Sequence, residues 1–539
     1  MILKRLGTAF AAFALIGAAP AEAPLDSAAS RIRADVEYLS SDALEGRETG
    51  STGHRAAADY VAKQFAAIGL KPGGPNKNWL LEVPFRRAVN GRQKMKLVQR
   101  GRSLKARAGD DISLRPSLTE PHRKMEVALV FAGRGINDPV LGINDYASID
   151  ARGKVAVVMA GTPPGLPSEV AAHLQSAKEE MAATAGAIGL IELPVPGISS
   201  SRSERVNYFT TRPVLDWVDA AGKTGAAGTM RLQLSLSRGL ARRLLAGTGH
   251  SLDGLGSAAR SGQPLPAFDM DARVIVDAVS TWQDFASPEV IGVLPGGDPA
   301  LAKEHIVLMG HLDHLGVVPN AKAGEDRVYN GALDNAAGVA TMLEAARKFA
   351  AAGNRPRRSV MFVANTGEER GLLGADYLAA HPIVPANDIV GLVDLDMPLL
   401  LYDFTDVAAF GAEHSTIAKT AATAGGSMGI AIAPDPMPEE TLFVRSDHYR
   451  FVLRGVPAVF LMTGYANGGK QAYQDFFARA YHSVGDDMSQ PIRWNAGSRY
   501  AELNYRIARA MADANERPKW YAKDYFGERY AAGQAKAAR

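Results

Sequence analysis

Histidine and carboxylate side chains, which could bind a metal ion, are concentrated in a few short segments of the sequence. Most of these segments directly follow an apolar run. The segment GHLDHLG carries His311 and Asp313. His311 can bind a metal through one ring nitrogen, and Asp313 is spaced to hold the other N–H and fix the tautomer. In NGALDNAAGVA, Asp334 and Asn335 precede an amphipathic helical pattern, so they either cap that helix or face a cation.

Two further segments bring pairs of acids together. In NTGEERGLLG, the neighbours Glu368 and Glu369 repel each other unless a cation lies nearby or both face water. The functional interpretation is that one of them binds a metal and the other moves protons. In VDLDMP, Asp394 and Asp396 alternate with apolar residues at the end of a buried strand and so share one side. Buried carboxylates need a partner or a metal, which makes one of these two a candidate ligand.

The remaining segments are YHSVGDD, with His482 and the candidate orienter Asp486, and RSDHYRF, with the polar run Ser446, Asp447 and His448. Together the segments supply two histidines and at least three carboxylates at strand ends, where ligands gather in parallel sheets. This set fits two divalent cations bridged by one carboxylate. Nitrogen and oxygen ligands favour zinc, with manganese or cobalt as alternatives. Such a pair of cations can deprotonate a shared water and polarise a carbonyl.

Composition narrows the chemistry further. The chain has 539 residues and no Cys, which excludes thiolate metal sites, iron–sulfur clusters, disulfides and cysteine nucleophiles. A formal net charge of +3 is too balanced to predict a nucleic-acid partner or a polybasic membrane surface. At about 100–200 residues per domain, the length predicts two to four domains.

The first residues have the three parts of a secretory signal, namely the basic MILKR, an apolar run and small residues. We expect cleavage after Ala21, with Ala23 as the alternative, and hence an exported protein that is periplasmic or secreted. The apolar run falls short of the ~20 residues that span a bilayer, and no later segment is long enough. The sequence therefore predicts no stable membrane association.

Strand and helix patterns predict an α/β fold. A helical pattern covers 27–72, and from residue 287 onward apolar strands alternate with amphipathic helices. This alternation indicates a mostly parallel or mixed sheet with helices on both faces, and short β-branched runs before it indicate an inserted small β-rich domain. The predicted regions are a signal at 1–21, the N-terminal part of the main domain at 24–104, the insert at 105–282, the catalytic domain at 283–515 and a C-terminal strap at 516–539.

At these motifs the sequence resembles the co-catalytic zinc aminopeptidases of peptidase clan MH, the relatives of bacterial leucyl aminopeptidase and glutamate carboxypeptidase. The resemblance covers YLSSDALEGRETGSTGHRAAADYVAKQFAAIGLKP and most of 287–515. The intervening FAGRGINDPVLGINDYASIDARGKVAVVMAG looks like a protease-associated (PA) domain, a common insertion in this family. The resemblance implies a phosphorylase/hydrolase-like sheet, two Zn²⁺ ions and hydrolysis of an amino-terminal peptide bond.

The resemblance also implies a role for each motif residue. The implied ligands are His311 and Asp396 for one zinc, Glu369 and His482 for the other, and Asp334 as the bridge between them. A cis peptide would join Asp334 to Asn335. Glu368 would be the general base that takes the proton of the bridging water and returns it to the leaving amine. Asp313 would orient His311.

This sequence departs from its relatives in two places. Some relatives carry an oxyanion-stabilising tyrosine shortly before the Ser-Asp-His run, where Phe443 and Val444 stand here. Either another donor, Tyr449 or Arg445, replaces it, or the metals act alone. Asp394 is acidic where relatives more often carry Asn. The candidates for contact with the substrate or its oxyanion are Ser446, Asp447, His448 and Tyr449.

The sequence thus predicts an exported metallo-aminopeptidase that acts on peptides with a free N-terminus. The first alternative is a carboxypeptidase or dipeptidase on the same scaffold, although no Arg or Lys of the motifs is assigned to a substrate carboxylate. A non-catalytic binding protein and a one-zinc glutaminyl cyclase are less favoured, because the ligand set is complete and Glu368 is present. We also expect the insert to narrow access to the site. The oligomeric state does not follow from the sequence.

Overall fold

The computed structural model describes residues 24–195, 213–225 and 228–539. The predicted export signal at 1–21 therefore lies outside the described residues. Among the helices that are described, not one combines the length and the apolar character needed to cross a bilayer.

The strands of the described residues form one large sheet and one small hairpin. In chain order they are β1 (Lys71–Pro72), β2 (Leu80–Gln99), β3 (Arg102–Leu104), β4 (Ile112–Leu114), β5 (His122–Ala132), β6 (Asn137–Asp138), β7 (Ile143–Asn144), β8 (Val155–Met159), β9 (Gly189–Leu193), β10 (Val214–Trp217), β11 (Leu232–Leu236), β12 (Ala267–Leu294), β13 (His305–His311), β14 (Ser359–Asn365), β15 (Ile389–Asp394), β16 (Asp406–Phe410), β17 (Ala431–Ala433) and β18 (Ala458–Thr463).

Helices cover this sheet, and several short 3₁₀ turns connect the elements. The described α-helices are α1 (Ser27–Leu39), α2 (Thr52–Ile68), α3 (Ser168–Ser176), α4 (Lys178–Thr184), α5 (Arg238–Ala246), α6 (Leu252–Arg260), α7 (Ala337–Ala351), α8 (Leu373–Ala380), α9 (Ile417–Gly426), α10 (His448–Val452), α11 (Gly469–Arg479), α12 (Trp494–Asp513) and α13 (Tyr525–Tyr530).

The part of the sheet that carries the candidate ligands is mostly parallel. β13 lies between β14 and β15 and runs parallel to both, and β15 runs parallel to β18. His311 is in register with Asn365, and Met309 with Asp394, so these strands end at one edge of the sheet. Antiparallel pairing of β12 with β14 and of β16 with β18 makes the sheet mixed. The predicted α/β architecture is confirmed.

Two long antiparallel strands join the main part of the protein to the inserted region. β2 and β12 pair along nearly their whole length, and β12 also pairs with β14 at one end and with β5 at the other. Beyond β5 the sheet continues through β8, β9 and β11, which run parallel to one another. The apolar runs at 273–279 and 290–294 therefore belong to one strand, and the predicted boundary at 282 falls inside it.

The helix that follows Asp334 packs as its sequence predicts. The apolar face of α7 is buried and lies in the main core, where each large side chain contributes about 1.5–3 kcal/mol of hydrophobic free energy. The members of this face are Val339, Met342, Leu343, Ala346 and Phe349. Burial of this face holds the start of the helix, and with it Asp334, against the end of β13.

The helical pattern predicted across 27–72 is two helices joined by a tight turn. The turn contains Glu45, Gly46 and Arg47, all with positive φ. A Cβ on Gly46 would lie 2.1 Å from the main-chain oxygen of Gly316, so only glycine lets the turn approach the segment that follows β13. The turn thereby supports the exit of the strand that carries His311. The second helix ends at Ile68, and Gly69 follows it with a φ of 91°.

The C-terminal segment packs against the body of the protein. Trp520 is buried and donates its indole N–H to the main-chain oxygen of Gly455, and Phe526 is fully buried in the main core. Trp520 and Phe526 of this segment are therefore packing residues.

Candidate metal centre

Asp334 lies at the middle of the candidate site, between two histidines. Its Oδ1 is 3.3 Å from Nε2 of His311, and its Oδ2 is 3.2 Å from Nε2 of His482. The peptide bond to Asn335 is cis. Asn335, and not Asp334, caps the following helix, because its Oδ1 accepts the N–H of Gly338 at 3.0 Å. The Asp334 carboxylate is therefore left to face both histidines.

Each histidine also meets a second carboxylate. His311 Nε2 lies 3.1 Å from Asp396 Oδ1, and His482 Nε2 lies 3.3 Å from Glu369 Oε2. Two ligands bound tetrahedrally at 2.0–2.2 Å from one zinc ion are about 3.4 Å apart. The observed separations have this size, and no thiolate takes part. The residues thus fit two adjacent sites of nitrogen and oxygen ligands, with one oxygen of Asp334 in each.

His314 forms a closer and different contact at the same place. His314, Asp334 and Glu369 offer ligand atoms within 4.8 Å of one another, so His314 competes with His482 as a ligand. However, His314 Nδ1 is only 2.6 Å from Glu369 Oε1, which is a hydrogen-bond length. Burial lowers the pKa of His314 to about 4, so its ring is neutral near pH 7. His314 is the second histidine of the GHLDHLG motif, and its role could not be predicted from the sequence.

Acidic groups crowd around Glu368. Burial raises the pKa of Glu368 well above its ordinary range, and the carboxylates of Asp396 and Glu369 raise it further. Burial, with Asp334 next to it, likewise raises the pKa of Glu369 to about 8. Divalent cations would offset this repulsion, because a nearby positive charge favours the ionised carboxylate. The electrostatics therefore agree with the ligand geometry.

The structure assigns a different contact to Asp313 than the sequence predicts. Its carboxylate accepts the hydroxyl of Thr49 at 2.9 Å and the N–H of Glu368 at 3.2 Å. His311 Nδ1 instead lies 3.0 Å from the main-chain oxygen of Asp313. The prediction that the Asp313 carboxylate holds His311 is therefore wrong. The main-chain oxygen of Asp313 makes this contact instead, because β13 ends at His311 and the chain then turns that oxygen toward the ring. Asp313 holds the backbone of Glu368.

The Asp486 carboxylate is also used differently. It was a candidate orienter of His482, but it accepts the main-chain N–H groups of Leu333 and Asp334, at 2.9 Å each. On the other side of this loop, the buried guanidinium of Arg47 donates to main-chain oxygens. These belong to Leu39, Leu312, Asn330 and Gly331. The sequence interpretation missed Arg47, whose only signal is its place in the N-terminal stretch EGRETG.

Ser446 holds the strand-end aspartates. Its Oγ lies 2.7 Å from Asp394 Oδ2 and 2.7 Å from Asp396 Oδ2. Asp394 also accepts the main-chain N–H of His448 at 2.9 Å. Asp396 is thus the member of the pair that faces His311, and Asp394 lies behind it.

The residues that follow Ser446, namely Asp447, His448 and Tyr449, do not line the cavity beside the candidate ligands. Asp447 is buried and accepts the amide of Asn365 at 2.6 Å. The ring of His448 is buried, and the Tyr449 hydroxyl points away to His173, at 2.6 Å. The prediction that Asp447, His448 and Tyr449 contact the substrate is therefore corrected, because all three side chains are buried and none of them lines the cavity. Ser446 does line the cavity, although its hydroxyl is engaged by the two aspartates.

A cavity of about 360 Å³ opens beside the candidate ligands. One wall is apolar and consists of Leu372, Met397, Leu442, Val444, Phe460 and Met462. Arg445, Arg450 and Tyr481 add polar groups. The described residues that line the cavity all fall between positions 311 and 482 of the sequence. None of them therefore comes from the predicted insert at 105–282.

The two arginines of the cavity differ in their partners. Arg445 pairs with Glu440 at 3.0 Å and lies 3.4 Å from the hydroxyl of Tyr481, whose ring stacks on His482. Arg450 donates to the main-chain oxygen of Gly371 at 3.0 Å, and its buried Nε has no partner in the part of the chain that the structure describes. Arg450 is therefore a cation at the cavity wall that can bind an anionic group of a substrate.

Parts of this chain match known proteins. Residues 289–508 match the model of Peptidase family M28. A probable zinc metalloprotease of Phaeosphaeria nodorum is 38% identical over 87 residues, which are 16% of this chain and 17% of that protein. The chain thus spans less than a fifth of the length of this curated relative. The matched family is one of zinc peptidases, so the resemblance noted in the sequence is confirmed for 289–508.

Solved structures that match this chain include two aminopeptidases. An aminopeptidase from Aneurinibacillus sp. strain AM-1 has a TM-score of 0.47 at 18% identity, over 90% of this chain and 95% of that one. BSAP, a zinc aminopeptidase from Bacillus subtilis, has a TM-score of 0.42 at 17% identity, over 89% and 94%.

Proposed function

We propose that this chain is an exported zinc metallo-aminopeptidase that removes the amino-terminal residue of peptides. The observation that carries the proposal is the position of Asp334, whose two oxygens face two separate pairs of a histidine and a carboxylate. This arrangement suits two zinc ions bridged by one aspartate. When bound, such ions polarise the scissile carbonyl and lower the pKa of a water molecule between them.

The proposed ligands fall into two sets. His311 and Asp396 would hold one zinc ion and Glu369 and His482 the other, with Asp334 shared. His314 holds the Oε1 oxygen of Glu369 by a hydrogen bond, so Oε2 would be free to hold a metal ion. Manganese or cobalt could occupy the same nitrogen and oxygen ligands.

Glu368 is the proposed general base. It lines the cavity next to the proposed ligands, and Asp313 holds its main-chain N–H. Its carboxylate takes a proton from the attacking water and passes it to the nitrogen of the leaving amine. The hydroxyl of Tyr481 is the proposed donor to the developing oxyanion, since it lines the cavity beside Arg445.

The substrate would present a free α-amine to this acidic site. Glu368 lines the cavity and, when ionised, attracts a positive group, whereas the charges of Glu369 and Asp396 would be offset by the metals they hold. The apolar wall described above would then receive the side chain of the terminal residue. A free N-terminus is thus favoured by charge, and an apolar terminal residue by burial.

A pair of chromogenic substrates tests the proposal. Leucine p-nitroanilide should be hydrolysed, and its N-acetylated form should not, because acetylation removes the positive charge. Exhaustive chelation should abolish the activity and added zinc should restore it. Activity that survives metal removal, or that is equal on the blocked substrate, would contradict a zinc aminopeptidase.

The position of Arg450 favours a second candidate function, a dipeptidase on the same scaffold. A guanidinium at the cavity wall can bind the terminal carboxylate of a short substrate. A dipeptidase would cleave Leu-Gly much faster than its C-terminal amide, and Arg450→Gln would remove the difference. Equal rates on the acid and the amide would instead favour the aminopeptidase.

A further inference from the structure

One buried histidine of the inserted region touches two distant parts of the chain. His173 lies on α3 and is 1% exposed. Its Nδ1 is 2.6 Å from the hydroxyl of Tyr449 on α10, and its Nε2 is 3.0 Å from the hydroxyl of Tyr530 at the end of α13. The ring of Phe526 packs edge-on against the same imidazole, with ring centroids 5.7 Å apart. Insert, C-terminal segment and main domain therefore meet at one side chain.

Both nitrogens of this imidazole are used. Burial lowers the pKa of His173 to about 4, so the ring is neutral near pH 7. A neutral imidazole has one N–H donor and one bare nitrogen. One tyrosine thus accepts from His173 while the other donates to it. Removal of either hydroxyl leaves a buried nitrogen without its partner, which costs free energy.

The hydrogen bonds continue from Tyr449 toward the metal centre. The main-chain N–H of Tyr449 donates to the main-chain oxygen of Ser446 at 3.1 Å. The hydroxyl of Ser446 lies 2.7 Å from Asp396, which in turn lies 3.1 Å from His311. A continuous series of contacts thus connects Tyr530 with a proposed zinc ligand.

We infer that His173 and Tyr530 are positioning residues of the metal centre, which they reach through Tyr449 and Ser446. The inference rests on the proposed role of Asp396 as a ligand. The inserted region and the C-terminal segment then do more than cover the main domain. They fix the start of α10, and the start of α10 fixes the orientation of Asp396.

Single tyrosine-to-phenylalanine variants of the full-length protein test this inference. Tyr449→Phe and Tyr530→Phe each remove one hydroxyl and keep the ring. Tyr525→Phe is the matched control, because its hydroxyl lies 2.7 Å from Asp138 of the inserted region but has no bond to His173. Zinc affinity is measured by competition with a chromogenic chelator, and folding by the thermal unfolding midpoint.

Loss of a hydrogen-bond partner one step behind a metal ligand weakens metal binding 10–100-fold. For residues further back we expect a rise of about 3–10-fold in the zinc dissociation constant for Tyr449→Phe and Tyr530→Phe. Tyr525→Phe should keep the wild-type affinity. An equal loss in all three variants would mean that the tyrosines only anchor the C-terminal segment. That outcome, or unchanged affinity in Tyr449→Phe and Tyr530→Phe, overturns the inference.

Two substitutions of His173 give a finer test. The side-chain amide of Asn lies near the position of His173 Nδ1 and can still form a hydrogen bond with Tyr449. The longer Gln side chain places its amide near the position of Nε2, where it can form a hydrogen bond with Tyr530. We therefore expect His173→Asn to bind zinc more tightly than His173→Gln. The reverse order would contradict a relay through Tyr449.

Ser446→Ala and Asp396→Asn separate this inference from the proposed function. Both should weaken zinc binding by at least tenfold. If neither does, the assignment of Asp396 fails, and the inference fails with it. If both weaken zinc binding while the tyrosine variants do not, the inference alone fails.

Discussion

Asp486 holds the main-chain N–H of Asp334 at 2.9 Å, and with it the turn that carries the proposed bridging carboxylate. The second carboxylate oxygen of Asp486 accepts the N–H of Leu333 at the same distance. Burial raises the pKa of Asp486 to about 6, so the group is ionised at neutral pH. Its role is to fix the backbone of Asp334 and not the ring of His482.

Asp486→Asn should weaken zinc binding by about tenfold, because the amide can accept only one of the two N–H groups and presents its own N–H to the other. The dissociation constant is measured by chelator competition. Asp487→Asn is the matched control, since within the described ranges the Asp487 carboxylate bonds only inside its own turn, to Ser489. If both variants bind zinc equally well, Asp486 does not support the site.

Glu368→Gln should separate metal binding from catalysis. The amide cannot take a proton from water, so we expect kcat to fall by about 10²–10⁴-fold while the zinc content stays unchanged. Glu369→Gln should instead reduce the zinc content, because it removes a proposed ligand. Zinc is counted by mass spectrometry and kcat is measured on leucine p-nitroanilide. Normal turnover of Glu368→Gln would reject its role as the base.

Arg47 should be a large contributor to stability. Its guanidinium donates to four main-chain oxygens inside the protein, and burial lowers its pKa to about 10, which leaves it charged. A Lys at this position cannot satisfy all four oxygens. We expect Arg47→Lys to lower the free energy of unfolding by about 2–4 kcal/mol, measured by urea denaturation.

The same substitution at an exposed position is the control for Arg47→Lys. Arg55 pairs with Glu82 at the surface, where ion pairs contribute about 0–1 kcal/mol. Arg55→Lys should therefore change the free energy of unfolding by less than about 0.5 kcal/mol. If the free energy of unfolding falls by a similar amount in both variants, the four buried contacts of Arg47 contribute no more to stability than the surface ion pair of Arg55.

Because of His54, we expect the free energy of unfolding to fall in acid. It is fully buried next to Ser287, and burial lowers its pKa from 6.5 to about 4. Between these values the unfolded chain binds the proton and the folded protein does not. The free energy of unfolding therefore falls as the pH falls from 6.5 to 4, by up to about 1.4 kcal/mol per pH unit from this group.

A neutral replacement isolates the contribution of His54. In His54→Gln the dependence of the unfolding free energy on pH should be shallower by about one proton across this window. Both proteins are measured without metal, so that zinc release does not contribute. Identical slopes would show that His54 does not titrate as described.

The structure brings the candidate ligands together because of their positions at the ends of strands. Parallel strands that end at one sheet edge bring their exit residues together, so apolar runs followed by His311, Glu369 and Asp396 are recognisable in the sequence alone. The contacts of His314 and of Asp313 are not recognisable in this way. They depend on ring orientation and on which atom of a residue faces inward.

The extent of the long strand β12 also could not be read from the sequence. Pro288 and nearby polar residues interrupt its pattern, which suggested separate strands. In the structure, 280–289 pairs with β2 on one side only, so Pro288 stands at an edge where a missing N–H costs nothing. Deletion of 105–282, which would test whether the insert narrows access, would cut this strand.

Zinc-edge anomalous diffraction from crystals grown with zinc tests the central claim most directly. The account predicts two peaks about 3.5–4 Å apart, one on each side of the Asp334 carboxylate. One peak should touch His311 and Asp396, and the other His482 and Glu369. A single peak, peaks elsewhere, or a peak bound by His314 in place of His482 would contradict it.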